Sequence, residues 1–108
     1  PDPSGAGPAM VVARLLARDP ADQRPLERWA APLHLSGKTL QRDFHRVFGA
    51  SFGQWRTRMR LDAAKVLLRV DPVSTVARRV GYASPSSFVV AFRTAFGETP
   101  GAFCRRIS

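Results

Sequence analysis

The sequence predicts an all-α fold, and three observations carry that prediction. Apolar residues recur at helical spacing through most of the 108 residues. No run alternates apolar and polar residues between turn signals, as a half-buried strand would. And the stretch SGKTLQRDFHRVFG, Ser36 to Gly49, returns 48 residues later as SPSSFVVAFRTAFG, Ser84 to Gly97. In that overlay Leu40 meets Phe88, Phe44 meets Phe92, Phe48 meets Phe96 and Gly49 meets Gly97, so an apolar helical frame is built twice. The expected architecture is seven helices, forming two helix-turn-helix subdomains joined by a central linker helix.

Each element follows from local chemistry. The opening PDPSGAGP, residues 1–8, is rich in Pro, Gly and Ser and reads as a linker within a longer protein. Ala9 to Arg18 has apolar residues at 11, 12, 15 and 16 and stops at Asp19-Pro20. Pro25 to Leu33 opens on a proline suited to a first helical turn, with Leu26, Trp29, Ala30 and Leu33 on one face. Pro32 removes a backbone donor, so the last turn is expected to be bent or short. Ser36 is the N-cap of a third helix and Gly49 its C-terminal stop. Ser51 to Leu68 carries two apolar stripes: Phe52, Trp55, Met59, Ala63 and Val66 on one, Leu61, Ala64 and Leu68 on another. Asp71-Pro72 breaks it. Then come Val73 to Val80, a turn through Gly81, a helix from Pro85 to Phe96 capped by Ser84, and a short helix from Pro100. The first lobe spans 9–50, the linker helix 51–69 and the second lobe 70–108.

Charge narrows the function. Seventeen Lys and Arg against eight Asp and Glu give +9, which points to a polyanionic partner. The single cysteine, Cys104, excludes an internal disulfide framework and a multi-Cys zinc site. His34 and His45 have no ligand or catalytic spacing, so no catalytic, metal or cofactor site is expected. No apolar run approaches the roughly 20 residues of a membrane span. A reduced, cytoplasmic setting is expected. Trp29, Trp55 and the seven phenylalanines fall at core spacing and read as packing rather than as base-stacking platforms.

At 100° per residue, Leu40, Phe44, Val47 and Phe48 share one side of the third helix and should be buried. Lys38, Arg42, His45 and Arg46 fall opposite, with Gln41 at the rim. Between Ser36 and Arg60, six Lys and Arg stand against the single acid Asp43. Arg can bind guanine O6 and N7 in a bidentate manner, and Gln can bind adenine N6 and N7. On the repeated helix, Val90 takes the centre of the outward face, flanked by Ser86, Arg93 and Thr94. Two readings compete with sequence-specific DNA binding: a helical protein-interaction module contacting the transcription machinery, and charge-driven, sequence-blind nucleic-acid binding.

The pattern A-x-x-L-x-L-S-x-x-T-L-Q-R-x-F-x-x-x-F-G at Ala30 to Gly49 resembles the first helix-turn-helix of the AraC/XylS transcription regulators. RLDAAKVLL, Arg60 to Leu68, is similar to that family's linker helix. V-A-x-x-V-G-Y-x-S-x-S-S-F-x-x-x-F-x-x-x-F-G-x-T-P, Val76 to Pro100, resembles its second unit. The resemblance implies a DNA-binding domain whose two recognition helices enter successive major grooves of double-stranded DNA. It implies RNA polymerase as a further partner, and a small-molecule effector only through a domain absent from this chain. Base contacts would fall on Lys38, Gln41 and Arg42 in the first unit and on Ser86, Val89 and Val90 in the second. Phosphate contacts would fall on Ser36, His45, Arg46, Ser84, Arg93 and Thr99. The chain departs from the pattern at His34, where Gly or a small residue is usual, at Val89-Val90 in place of a polar residue and Arg, and at Phe103-Cys104 in place of Tyr-Arg.

Overall fold

In the computed structural model, which describes residues 7–108, the described residues form seven α-helices. They are α1 (Pro8–Arg18), α2 (Leu26–Ala30), α3 (Gly37–Phe48), α4 (Phe52–Leu67), α5 (Val73–Arg79), α6 (Pro85–Phe96) and α7 (Pro100–Ile107). A 3-10 turn, Ala31–Leu33, tightens the end of α2 around Pro32. The linker expected over residues 1–8 lies largely outside the described residues, and α1 already starts at Pro8. The chain divides into two compact units, the first ending at Thr57 and the second starting at Arg58, so the division falls inside α4.

The repeat is carried by equivalent hydrogen bonds. Ser36 Oγ accepts the Thr39 amide at 3.1 Å, and Ser84 Oγ accepts the Ser87 amide at 3.2 Å. Both recognition-type helices stop at a left-handed glycine, Gly49 (φ 69°) and Gly97 (φ 78°). The turns before them also correspond: Leu35 N donates to Ala30 O at 3.2 Å, and Tyr82 N donates to Ala77 O at 2.8 Å. In each turn one residue has positive φ, Gly81 at 98° and His34 at 58°. The departure at His34 is therefore accommodated in the left-handed conformation that a glycine adopts without strain.

In the first unit the core is Ala9, Val12, Ala13 and Leu16 of α1, Trp29 and Ala30 of α2, Leu40 and Phe44 of α3, and Phe52 of α4. The buried stripe of α1 is rotated from the expected one. Ala9 and Ala13 face inward, while Leu15 is 45 % exposed. Alanines on that stripe permit the close approach to α3 that brings the Ala9 amide to Asp43 Oδ2 at 2.9 Å. Phe44 packs against Phe48, Phe52 and Trp55 with ring centroids 5.3–5.6 Å apart. Arg24 stacks 3.8 Å over the Trp29 ring, held by a bidentate pair with Asp22.

The second unit closes around Leu61, Ala64, Leu68, Val76, Ala77, Val80, Phe88, Phe92 and Phe103. Phe92 makes edge contacts with Phe88, Phe96 and Phe103, repeating the role of Phe44. Two sequence expectations fail here. Val66 is 65 % exposed although it continues the stripe of Phe52 and Trp55. Those two rings pack within the first unit, and the stripe runs on beyond the residues that cover them. Val47, expected inside, is also exposed, as is its repeat counterpart Ala95. Both lie in the last turn of their helices, where Phe48 and Phe96 supply the packing instead.

Candidate nucleic-acid interface

Burial of Leu40 and Phe44 fixes the rotation of α3, and that rotation decides what faces out. Lys38, Arg42, His45 and Arg46 are all exposed, on the side away from the core. The hydrophobic contact energy of the core thereby holds three cationic groups and an imidazole along one helix face. Arg42 and Arg46 line an open cleft of about 330 Å3 together with Pro8, Thr39 and Asp43.

Asp43, the only acid on this helix, does not dilute the face as a free charge. Its Oδ2 accepts the Ala9 amide, and its Oδ1 accepts Arg46 Nη2 at 2.6 Å and Nε at 3.1 Å. Burial pushes the carboxyl up, but the Ala9 amide and the Arg46 guanidinium outweigh it and hold the group below the usual carboxylate range. The pair fixes the base of the Arg46 fork while its side chain stays 71 % exposed. The signal for this in the sequence is the i,i+3 spacing of Asp43 and Arg46; the contact to Ala9, 34 residues away, has none.

Gln41 is placed differently from its neighbours. It is half-buried, and its Oε1 accepts the Phe52 amide at 2.6 Å, satisfying an orphan donor at the start of α4. The residue thus ties α3 to the next helix. Ser36 is exposed at the head of α3, but its hydroxyl is spent on capping, bonding the Thr39 amide and Thr39 Oγ1. The Glu27 carboxylate overhangs the same turn: a Cβ on Gly37 would stand 2.9 Å from Glu27 Oε2. A negative charge therefore already sits against the positive end of the α3 dipole.

On α6 the geometry repeats and the chemistry changes. Phe88 and Phe92 are buried, and Ser86, Val90, Arg93 and Thr94 are exposed at the positions of Lys38, Arg42, His45 and Arg46. Val89, at the position of Gln41, is half-buried at the edge. Ser84 is half-buried and caps the helix, and its Oγ also lies 3.1 Å from Ser87 Oγ. Thr99 caps α7 by accepting the Ala102 amide at 3.1 Å. Of the expected contact residues, the structure thus gathers four on the outward face of α3 and three on that of α6, and assigns the rest to helix ends, turns or edges.

No helix among the described residues is long and apolar enough to cross a membrane. A family profile described as a helix-turn-helix domain matches residues 29–106. The chain is 44 % identical over 96 residues to the HTH-type transcriptional regulator RipA of Corynebacterium glutamicum, a match covering 88 % of this chain and 29 % of that protein. It is 32 % identical over 99 residues to the HTH-type transcriptional regulator NimR of Escherichia coli, covering 91 % and 36 %. The chain thus spans about a third of the length of these relatives. Among solved structures, the C-terminal domain of AraT, a response regulator from Geobacillus stearothermophilus, is similar with a TM-score of 0.85 at 27 % identity, over 94 % of this chain and 86 % of that one. The DNA-binding domain of AdpA, solved in complex with a target DNA, matches with a TM-score of 0.85 at 28 % identity, over 94 % and 93 %. Such proteins are DNA-binding transcription regulators rather than enzymes. With two capped helix-turn-helix units and a cationic outward helix face, the chain belongs to the AraC-type helix-turn-helix family and is a DNA-binding domain of that kind.

Proposed function

We propose that α3 reads base edges in the major groove through Lys38 and Arg42, and that α6 enters a successive groove with Ser86 and Val90 toward the bases. Arg42 is the principal specificity contact, because a guanidinium at the centre of the outward face suits the bidentate guanine edge. His45, Arg46 and Arg93 lie toward the sides of their helices and hold phosphates. Ser84 and Thr99 present capped helix N-termini to the backbone, and Ser36 presents that of α3, where a phosphate has to displace the Glu27 carboxylate from the same turn. Gln41 and Val89 border the contact surface rather than centre it. The observation that carries this reading is the exposure of Lys38, Arg42, His45 and Arg46 opposite buried Leu40 and Phe44.

In the full-length protein this domain serves a cytoplasmic transcription regulator that recruits or contacts RNA polymerase. Any small-molecule effector acts through another part of that protein. The experiment that tests the site assignment is Arg42→Ala on a selected duplex and on random DNA. Affinity for the selected duplex should fall by about 1–3 kcal/mol, with preference relaxed at one position and little change on random DNA. An equal loss on both would make Arg42 a phosphate contact.

A further inference from the structure

The two outward faces share a frame but not a vocabulary. At the position where α3 carries Arg42, α6 carries Val90, 66 % exposed. Where α3 carries Arg46, α6 carries Thr94, whose hydroxyl donates to Val90 O at 2.8 Å. That hydroxyl has spent its only proton on the helix backbone and has none to offer a base. Ser87 is likewise engaged, since its hydroxyl donates to Ser84 O at 3.0 Å. Arg93 remains at the side of the helix and Ser86 at its first turn. The centre of α6 therefore presents an isopropyl group, and the nearest guanidinium, that of Arg93, stands one turn on toward the side of the helix.

A major groove offers one apolar group to such a centre, the C5-methyl of a pyrimidine. We infer that Val90 makes α6 a reader of C5-methyl groups, with thymine as the natural source, and that its half-site is specified by shape and methyl contact where that of α3 is specified by hydrogen bonds. This rests on the proposal that α6 enters a groove. Burying one methyl contributes about fourfold in affinity, against about fivefold to 150-fold for a bidentate pair. The α6 half-site should accordingly be the laxer one. A methylated cytosine presents the same group, so 5-methylcytosine should be favoured over cytosine at the same position.

The test uses the 108-residue chain and a duplex selected from a random library. Each thymine of the α6 half-site is replaced in turn by uracil, which removes only the methyl, and affinity is followed by fluorescence anisotropy. One position should weaken by about fourfold. At that position 5-methylcytosine should bind more tightly than cytosine, and in Val90→Ala both differences should shrink toward unity. Val90 is exposed, so a circular-dichroism melt matching the wild type would confirm that the variant folds. Uracil tolerated at every position, or a methyl preference that survives Val90→Ala, would overturn the inference. Hydroxyl-radical footprinting separates the two levels. A footprint at the α6 half with no uracil effect overturns methyl reading alone; no footprint there removes groove entry, and the inference with it.

Discussion

Removing the Asp43 carboxylate should loosen the first unit and, at the same time, strengthen sequence-blind DNA binding. The Asp43 side chain is only 13 % exposed, and its Oδ2 holds the Ala9 amide at 2.9 Å. That amide is one of the orphan donors opening α1, so the helix dipole reinforces the bond. A hydrogen bond to an ionised partner contributes about 1.5–3 kcal/mol. The Arg46 side chain is 71 % exposed, so its ion pair adds well under about 1 kcal/mol. Asp43→Ala should therefore cost about 2 kcal/mol at pH 7, and Asp43→Asn about 1 kcal/mol, since an amide oxygen can still accept. The pH dependence has a definite sign. The folded carboxyl titrates below its unfolded value, so its contribution is complete above about pH 4 and fades as pH falls through the folded value. Urea melts by circular dichroism, taken from pH 7 downward, should show the gap between wild type and Asp43→Ala narrowing below about pH 4. Losing the neutralising partner of Arg46 should also steepen the salt dependence on random duplex by about one counterion. A variant that melts like wild type at pH 7 would refute the clamp. A gap that persists undiminished into acid would show that packing, not charge, was lost.

Arg46→Ala should weaken binding to all duplexes alike and lower the salt slope by about one, measured by anisotropy over a salt series; an unchanged slope would place Arg46 in solvent even when DNA is bound. Gly81→Ala should cost about 1–3 kcal/mol in a urea melt, because a side chain at φ 98° is strained. His34→Gly should be neutral or stabilising by less than about 1 kcal/mol, the relieved left-handed strain being partly offset by unfolded-chain entropy; a clear destabilisation would mean that the His34 side chain contributes to the turn. Phe92→Ala should cost about 3–5 kcal/mol, since the ring is fully buried among Phe88, Phe96 and Phe103. Its loss should broaden the second unit's resonances in a heteronuclear spectrum, and a spectrum unchanged there would contradict the packing.

What was legible in the sequence was what short-range chemistry decides. Ser36 and Ser84 cap their helices, and Gly49 and Gly97 end them, because each acts on residues within one turn. The outward set Lys38, Arg42, His45 and Arg46 followed from the burial of Leu40 and Phe44 on a regular helix. What escaped depends on how far a partner reaches. A helical wheel puts Val66 with Phe52 and Trp55 but says nothing about where along the axis the covering rings stop. The inward alanines of α1 could not outrank Leu15 on hydrophobicity; only close approach to α3 selects them. The bond from the Phe52 amide to Gln41 Oε1 forms only because the chain turns back and delivers that amide to it. Asp43 and Ala9 are joined across 34 residues, and Glu27 comes over the first turn of α3, by tertiary contacts that no periodicity encodes.

Selection of bound duplexes from a random library, followed by salt titration of the winner against a scrambled duplex, tests two-helix sequence-specific binding most directly. The winner should bind about 10³-fold or more tightly than the scrambled duplex at physiological salt. It should hold two blocks of preferred sequence, a sharp one in which Arg42→Ala relaxes one position and a laxer, thymine-favouring one that Arg42→Ala leaves in place. No enrichment, with every duplex falling on a single line of log affinity against log salt, would contradict it and leave only charge-driven binding.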